Sequence, residues 1–316
     1  MRPGALHRKK GVMRMQSSRR LTAKRTMRGA ILLVLLFLIA GGVLAMQWNK
    51  NCSGGLFSWS RATVQDEPQQ LLTVMRQYGL TELYQTFSSH SDPAQLEPFL
   101  TQAAEQGVAV YVLVGEPEWG READGASLRQ VITRVAAWNE ALPEGSRFAG
   151  VMADIEPYLL EEWSDSDARR LLMQRYVQGT CAAYAQAQDA GLELLVCIPY
   201  FYDTKGFTAE LEQLAAEGCS GLAVMNYYRG KEAEHLRTEA ELARRYGKRL
   251  LTIYELQPPG SHDLTDQNTY YHAGLDALAD NYRALRRNFW RQRVDYALHS
   301  YPVLCELSEK EATPDA

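Results

Sequence analysis

Short apolar runs alternate with longer segments of helical period from Leu56 to Tyr301, and no other feature limits the fold so tightly. A chain written this way must bury its strands between amphipathic helices, which is the mark of a parallel α/β architecture. The runs predict strands at Leu56–Ser60, Leu80–Ser88, Val108–Gly115, Phe148–Pro157, Leu192–Tyr200, Gly221–Tyr228, Arg249–Leu256 and Asp295–Tyr301. Helical periods fill 67–78, 93–106, 127–142, 165–190, 208–217, 231–246 and 269–289. Ser91-Asp92-Pro93 and Thr208 read as helix starts, and Gly107, Gly191, Gly218 and Gly247 as stops. Eight strands with seven helices between them point to a (β/α)8 barrel of the TIM type. A doubly wound nucleotide-binding sheet loses weight, because no G-x-G-x-x-G turn follows the first strand and no P-loop occurs. Only about fifteen residues follow the last strand, so the eighth helix is expected to be short or absent.

Ahead of the barrel, Arg2, Arg8, Lys9, Lys10, Arg14, Arg19, Arg20, Lys24, Arg25 and Arg28 stand without one acidic residue. The uncharged run GAILLVLLFLIAGGVLAMQ then covers Gly29 to Gln47, with Trp48 at the expected interface. About 19 residues at ~1.5 Å each match a hydrocarbon core of roughly 30 Å. Leu44-Ala45-Met46-Gln47 is a poor cleavage site, so a signal anchor is expected rather than a removed signal peptide. The positive-inside rule keeps residues 1–28 in the cytoplasm, spans the membrane with 29–48 and sends 49–316 across. Cys52 follows Asn49-Lys50-Asn51 and so is no lipid-attachment cysteine. Taking the ten basic residues of the arm from the chain's 34 leaves 24 against 38 acidic ones, and so acidic an outer domain is a poor nucleic-acid partner.

Cys52, Cys181, Cys197, Cys219 and Cys305 lie far apart with no C-x-x-C spacing, so they read as small buried residues with at most one disulfide among them.

In barrels of this type the active site gathers where the strands end at their C-termini. Strand one ends in Trp59, strand three runs into Glu116 and Trp119, and strand four carries Asp154 and Glu156. Strand five ends in Tyr200, Tyr202 and Asp203, strand six in Asn226, Tyr227 and Arg229, strand seven in Glu255, and strand eight in His299 and Tyr301. Acids ringed by aromatics form the profile of a carbohydrate site, in which aromatic faces stack on sugar rings while carboxyl groups donate protons and stabilise positive charge. Period two sends Asp154 and Glu156 to the same side, into the barrel mouth. A carboxylate two residues from another raises the pKa of one of the pair, which is how a glutamic acid can stay protonated near neutral pH. Trp119 and Tyr158 follow strands and are better sugar platforms than Trp138, Trp163 or Trp290, which sit in or beside helices.

The segment Phe148-Ala149-Gly150-Val151-Met152-Ala153-Asp154-Ile155-Glu156 resembles the fourth-strand signature of family 18 glycoside hydrolases, the chitinase-like barrels. Met225-Asn226-Tyr227 is similar to their sixth-strand Met-x-Tyr. The resemblance implies that Glu156 is the proton donor, that Asp154 orients the acetamido group of the substrate and that Tyr227 holds it. Two earlier aspartates of the signature fall on Ala149 and Met152, and the eighth-strand tryptophan of the family has no counterpart at His299-Ser300-Tyr301. Over about residues 55–302 the chain resembles more closely a group of bacterial glycosyl-hydrolase-type barrels with Asp-Ile-Glu-Pro-Tyr on strand four, a Met-x-Tyr-Arg-like turn on strand six, a strand-seven glutamate and His-x-Tyr on strand eight.

Glu255 opens a second scheme. Glutamates ending strands four and seven are the arrangement of the retaining glycosidases, with Glu156 as acid/base and Glu255 as nucleophile about 5–5.5 Å away. A salt bridge from Glu255 to Arg229 is the structural alternative. The expected function is therefore a membrane-anchored, extracytoplasmic glycoside hydrolase acting on an envelope or extracellular glycan, with no cofactor. A non-hydrolytic carbohydrate-binding barrel is one alternative. A metal-dependent hydrolase using His299 with Asp154, Glu156 and Glu255 is another.

Overall fold

Eight parallel strands pair in sequence order and close on themselves. They are β1 (Gly54–Ser58), β2 (Glu82–Gln85), β3 (Ala109–Val114), β4 (Gly150–Ala153), β5 (Glu193–Pro199), β6 (Gly221–Met225), β7 (Arg249–Glu255) and β8 (Asp295–His299). Each expected strand is present, and the barrel is the TIM type the sequence implied. The structure, a computed structural model, describes residues 52–312. The expected basic arm 1–28 and membrane span 29–48 lie outside the described residues, and none of the described helices is long and apolar enough to cross a membrane.

A helix follows every strand: α1 (Pro68–Gln77), α2 (Pro93–Glu105), α3 (Ala126–Ala141), α4 (Ser166–Asp189), α5 (Thr208–Gln213), α6 (Arg237–Tyr246), α7 (Gly274–Asn288) and α8 (Tyr301–Ala312). Asp92 caps α2 by accepting the Ala94 amide at 3.0 Å, as the Ser91-Asp92-Pro93 start signal required. Phe207, not Thr208, precedes the first turn of α5 and offers no side-chain cap. α6 ends on Gly247 in the left-handed region, φ 64°, which a side chain there would resist. The eighth helix is present, at 12 residues half the length of the 24-residue α4, and packs on β1 and β8. Its first residue is Tyr301, so the strand expected to run to that residue stops at His299.

The first strand begins two residues earlier than its apolar run, at Gly54-Gly55. A Cβ on Gly55 would overlap the Tyr84 ring and one on Gly54 the Tyr296 ring, so these glycines are strand residues whose missing side chains make room for aromatics.

Alternation along each strand divides the interior in two. One set packs between barrel and helices. The other fills the barrel with Phe57, Tyr84, Tyr111, Met152, Leu195 and Leu251, among others. Below this plug, at the strand N-termini, Arg249 binds Glu82 at 2.6 Å, Glu193 at 2.9 Å and Asp295 at 3.3 Å. Tyr84 donates to Glu82 at 2.6 Å and Tyr111 to Glu193 at 2.8 Å, so the base is closed by a polar layer. Asp295 also accepts the Ser53 amide at 2.8 Å, fixing where the described chain enters the barrel. All five cysteines are free.

Candidate active site

The barrel plug ends upward in Met152, Cys197, Met225 and Ile253, and two residues further on from Met152, Met225 and Ile253 the side chain is polar, whereas Cys197 is followed in phase by Pro199. On β4 it is Asp154 and then Glu156. β6 supplies Tyr227, β7 Glu255, β8 His299 and β1 Trp59.

The β4 end is held by main chain. Asp154 N–H donates to the Val114 carbonyl at 2.7 Å, extending the β3–β4 ladder one residue past the strand. This approach needs Gly115, because a Cβ there would overlap the Asp154 carbonyl. Pro157 then starts a 3₁₀ turn, Pro157–Leu159, with Leu159 N–H bonding the Glu156 carbonyl at 3.0 Å. The strand thus ends with both carboxyl groups over the plug.

Burial sets their chemistry. Asp154 is raised to about 7, first by burial and then by the Glu156 charge, while His299 and the Cys197 thiol pull it partly back. Its Oδ1 is buried and bonds no protein group. Burial also raises the Glu156 carboxyl, against the Tyr158 hydroxyl, which donates to Glu156 Oε1, and against the fields of His299 and His262. Both carboxyl groups are therefore held above the ordinary carboxyl range and titrate as a pair. Tyr227 stays a phenol, because burial and the charges of Glu255 and Asp154 oppose its ionisation.

Glu255 and His299 are register partners on β7 and β8. His299 Nδ1 lies 3.0 Å and 3.2 Å from the two Glu255 oxygens, and Glu255 Oε1 also accepts the Gln257 amide at 2.8 Å. On the other side of the ring, Trp59 Nε1–H donates to His299 Nε2 at 3.0 Å. Burial opposes a charge on His299, but the hydrogen bond and charge of Glu255, with Asp154 and Glu156 behind it, raise its pKa above the ordinary value.

Asp154, Glu156, Tyr158, Tyr227, Glu255, His299 and Trp59 therefore meet at one mouth. Asn226, Arg229, Tyr200 and Tyr301 do not join them. Asn226 has the opposite parity to Tyr227 and points outward, its amide donating to the Glu232 carbonyl at 3.0 Å. Arg229 bonds the Thr269 carbonyl at 3.3 Å and lies over the Tyr270 ring, so the Glu255–Arg229 salt bridge is replaced by Glu255–His299. Tyr200, one residue beyond β5 and of outward parity, stacks on His235 with ring centroids 4.1 Å apart. Tyr301 is buried in the outer core because α8 has begun, whereas Trp119 lies in the turn Pro117–Arg121, which packs against the Pro157–Leu159 turn beside the two carboxyl groups.

The metal-dependent scheme needs His299 and three acids as one ligand set. Among the described residues no group of three or more such side chains is arranged to hold an ion. Both nitrogens of His299 already have partners.

Strand reading missed Gln257 and His262. His262 sits in the β7–α7 loop with φ 48°, and its field reaches Glu156. The length of that loop was the available signal, since long βα loops roof the mouths of such barrels.

Comparison with solved structures finds the same fold in proteins described as a chitinase and as a spore cortex-lytic enzyme. A chitinase from Bacteroides thetaiotaomicron is similar over 84% of this chain and 97% of its own, with 10% identity and a TM-score of 0.51. The spore cortex-lytic enzyme SleL of Bacillus megaterium QM B1551 is similar over 82% of this chain and 73% of its own, with 13% identity and a TM-score of 0.52. At such identities the likeness establishes a shared chitinase-like barrel fold. No family model matches the chain, and no curated protein matches it.

Proposed function

We propose that the protein is a glycoside hydrolase of the substrate-assisted kind, acting on a glycan that carries acetamido groups. One observation carries the reading: the half-buried Asp154–Glu156 pair, with Asp154 Oδ1 a buried oxygen that bonds no protein group. A buried acceptor without a partner costs about 1–3 kcal/mol, and an amide N–H is the donor that would relieve it. In this scheme Asp154 accepts the acetamido N–H and Tyr227 donates to its carbonyl oxygen. Glu156 gives its proton to the glycosidic oxygen as the bond to C1 breaks, and the acetamido oxygen closes on C1. Water then opens that ring, returning its proton to Glu156 and leaving the configuration at C1 retained.

The retaining scheme with Glu255 as nucleophile is less well supported. Both Glu255 oxygens are engaged by His299, and one also by the Gln257 amide, so attack on C1 would require leaving these partners. The two schemes separate on substrate. Turnover of N-acetylglucosamine oligomers with none of their de-N-acetylated counterparts is the expected result, measured as reducing ends released. Equal turnover of both would overturn substrate assistance, and binding without cleavage would favour the non-hydrolytic barrel.

The sequence supports a site of action outside the cytoplasmic membrane, with residues 1–28 inside, 29–48 spanning and the barrel outside, because ten basic residues precede the apolar run and an acidic domain follows it. External protease on spheroplasts should then digest the barrel, and full protection with intact membranes would contradict that orientation.

A further inference from the structure

We propose that Trp59 is the sugar-stacking floor of this mouth and that the Glu255–His299 pair positions it, docking the indole while His299 is neutral and releasing it when His299 is protonated. The sugar-stacking part rests on the glycan reading above; the hydrogen-bond switch does not.

The argument begins with what each atom can do. An indole N–H only donates, so His299 Nε2, at 3.0 Å from Trp59 Nε1, must be the bare nitrogen of a neutral ring. The ring proton is then on Nδ1, where Glu255 accepts it at 3.0 Å. Glu255 is itself held by the Gln257 amide. The links from the Gln257 main-chain amide through Glu255 and His299 to Trp59 agree in direction and select one tautomer, in which the Gln257 side-chain amide, 3.3 Å from Nδ1, turns its oxygen to the ring. A second proton on His299 can only go to Nε2, where it would face the indole N–H. Two donors cannot share that line, so the indole must leave.

Trp59 is the member free to move. It is 40% exposed, whereas the Glu255 and His299 side chains are 3% and 16% exposed. It also follows the last residue of β1, so no ladder hydrogen bond fixes its backbone as one fixes Phe57. Phe57 also packs on the imidazole, edge to face with ring centroids 5.7 Å apart at 67°, which holds His299 while Trp59 turns. The groups facing His299 are Glu255 and Gln257 from β7 and its loop, Asp154 and Glu156 from β4, and Phe57 and Trp59 from β1. The three acids favour its protonation, and burial opposes it.

This links the floor to the acids. When the Asp154–Glu156 pair holds a proton its charge falls, His299 is less readily protonated, and Trp59 docks. The form of the pair able to donate is therefore the form with the floor in place, and linkage makes the coupling reciprocal.

The test reads Trp59 without any glycan, as the difference in tryptophan emission between the wild-type protein and Trp59→Phe from pH 5 to 9. The expected result is a red shift as pH falls through a midpoint above about 6.5. Glu255→Gln should move that midpoint down by at least about one unit, and His299→Gln should abolish it. A flat difference, or a midpoint that Glu255→Gln leaves in place, overturns the proposal. If Glu255→Gln does not fold, imidazole ¹⁵N shifts of the wild type decide. The Nδ1–H tautomer supports the positioning role, and Nε2–H as the neutral form overturns it. Binding of N-acetylglucosamine oligomers is measured separately: titration without binding leaves the switch and removes the sugar, and binding unaffected by Trp59→Ala removes the floor.

Discussion

Replacing Glu156 with glutamine should lower kcat on an N-acetylated glycan by about 10²–10⁴-fold, with KM little changed. The amide keeps the volume of the carboxyl group and an oxygen that can accept from Tyr158, but it has no acidic proton for the leaving oxygen. The corresponding loss of transition-state stabilisation is about 3–5 kcal/mol. Unfolding can be separated from this effect by its sign. Burial raises the Glu156 carboxyl above its unfolded value, so its contribution favours the fold at low pH and is lost as pH rises through the folded value. Glutamine escapes that loss. The variant should therefore melt no lower than wild type at pH 8, while turning over far more slowly. Unchanged kcat would remove Glu156 from the role, and a collapsed Tm would assign the loss to the fold instead.

The largest stability effect is expected at the opposite end of the barrel. Arg249 is the cation shared by Glu82, Glu193 and Asp295, and the Glu82 and Asp295 side chains are 8% and 2% exposed. Arg249→Met fills much of the same volume but leaves Glu82 facing Tyr84 with no positive partner. Removing one side of a buried ion network typically costs about 3–5 kcal/mol. For a domain of this size that is on the order of 10 °C in Tm. Asp295 keeps Arg293 at 2.8 Å and the Ser53 amide, so Glu82 should carry most of the penalty. Adding Glu82→Gln to Arg249→Met should then recover a substantial part of the lost stability, by a coupling of about 0.5–3 kcal/mol. A single variant that melts within about 1 °C of wild type would show that the layer is dispensable.

Much of this molecule could be read from residue order, and the reason is parity. Asp154 and Glu156 share a face with Met152, Tyr227 with Met225, Glu255 with Ile253, and His299 with Ala297, so period two carried the strand pattern into the mouth. The same rule rejects Asn226 and Tyr200, one residue out of phase with inward neighbours. Parity fails where the strand has ended. Tyr301 is in phase with His299 but belongs to a helix, and Arg229 lies in a loop whose path only packing decides. The polar base was hidden for another reason. Glu82, Glu193, Arg249 and Asp295 are single charges at strand starts, more than a hundred residues apart at the extremes, and nothing but barrel closure brings them together. His262 reaches Glu156 from a loop and follows no period at all.

The parallel course of the strands has a consequence for access. Ser53 is bonded to Asp295 and Arg293 beside the charged base, and the acids stand at the other pole. A chain held from its amino-terminal side is therefore held by the pole farthest from its chemistry. If the protein acts on an immobile glycan, as proposed, the pole that carries Asp154 and Glu156 is the one that must meet it.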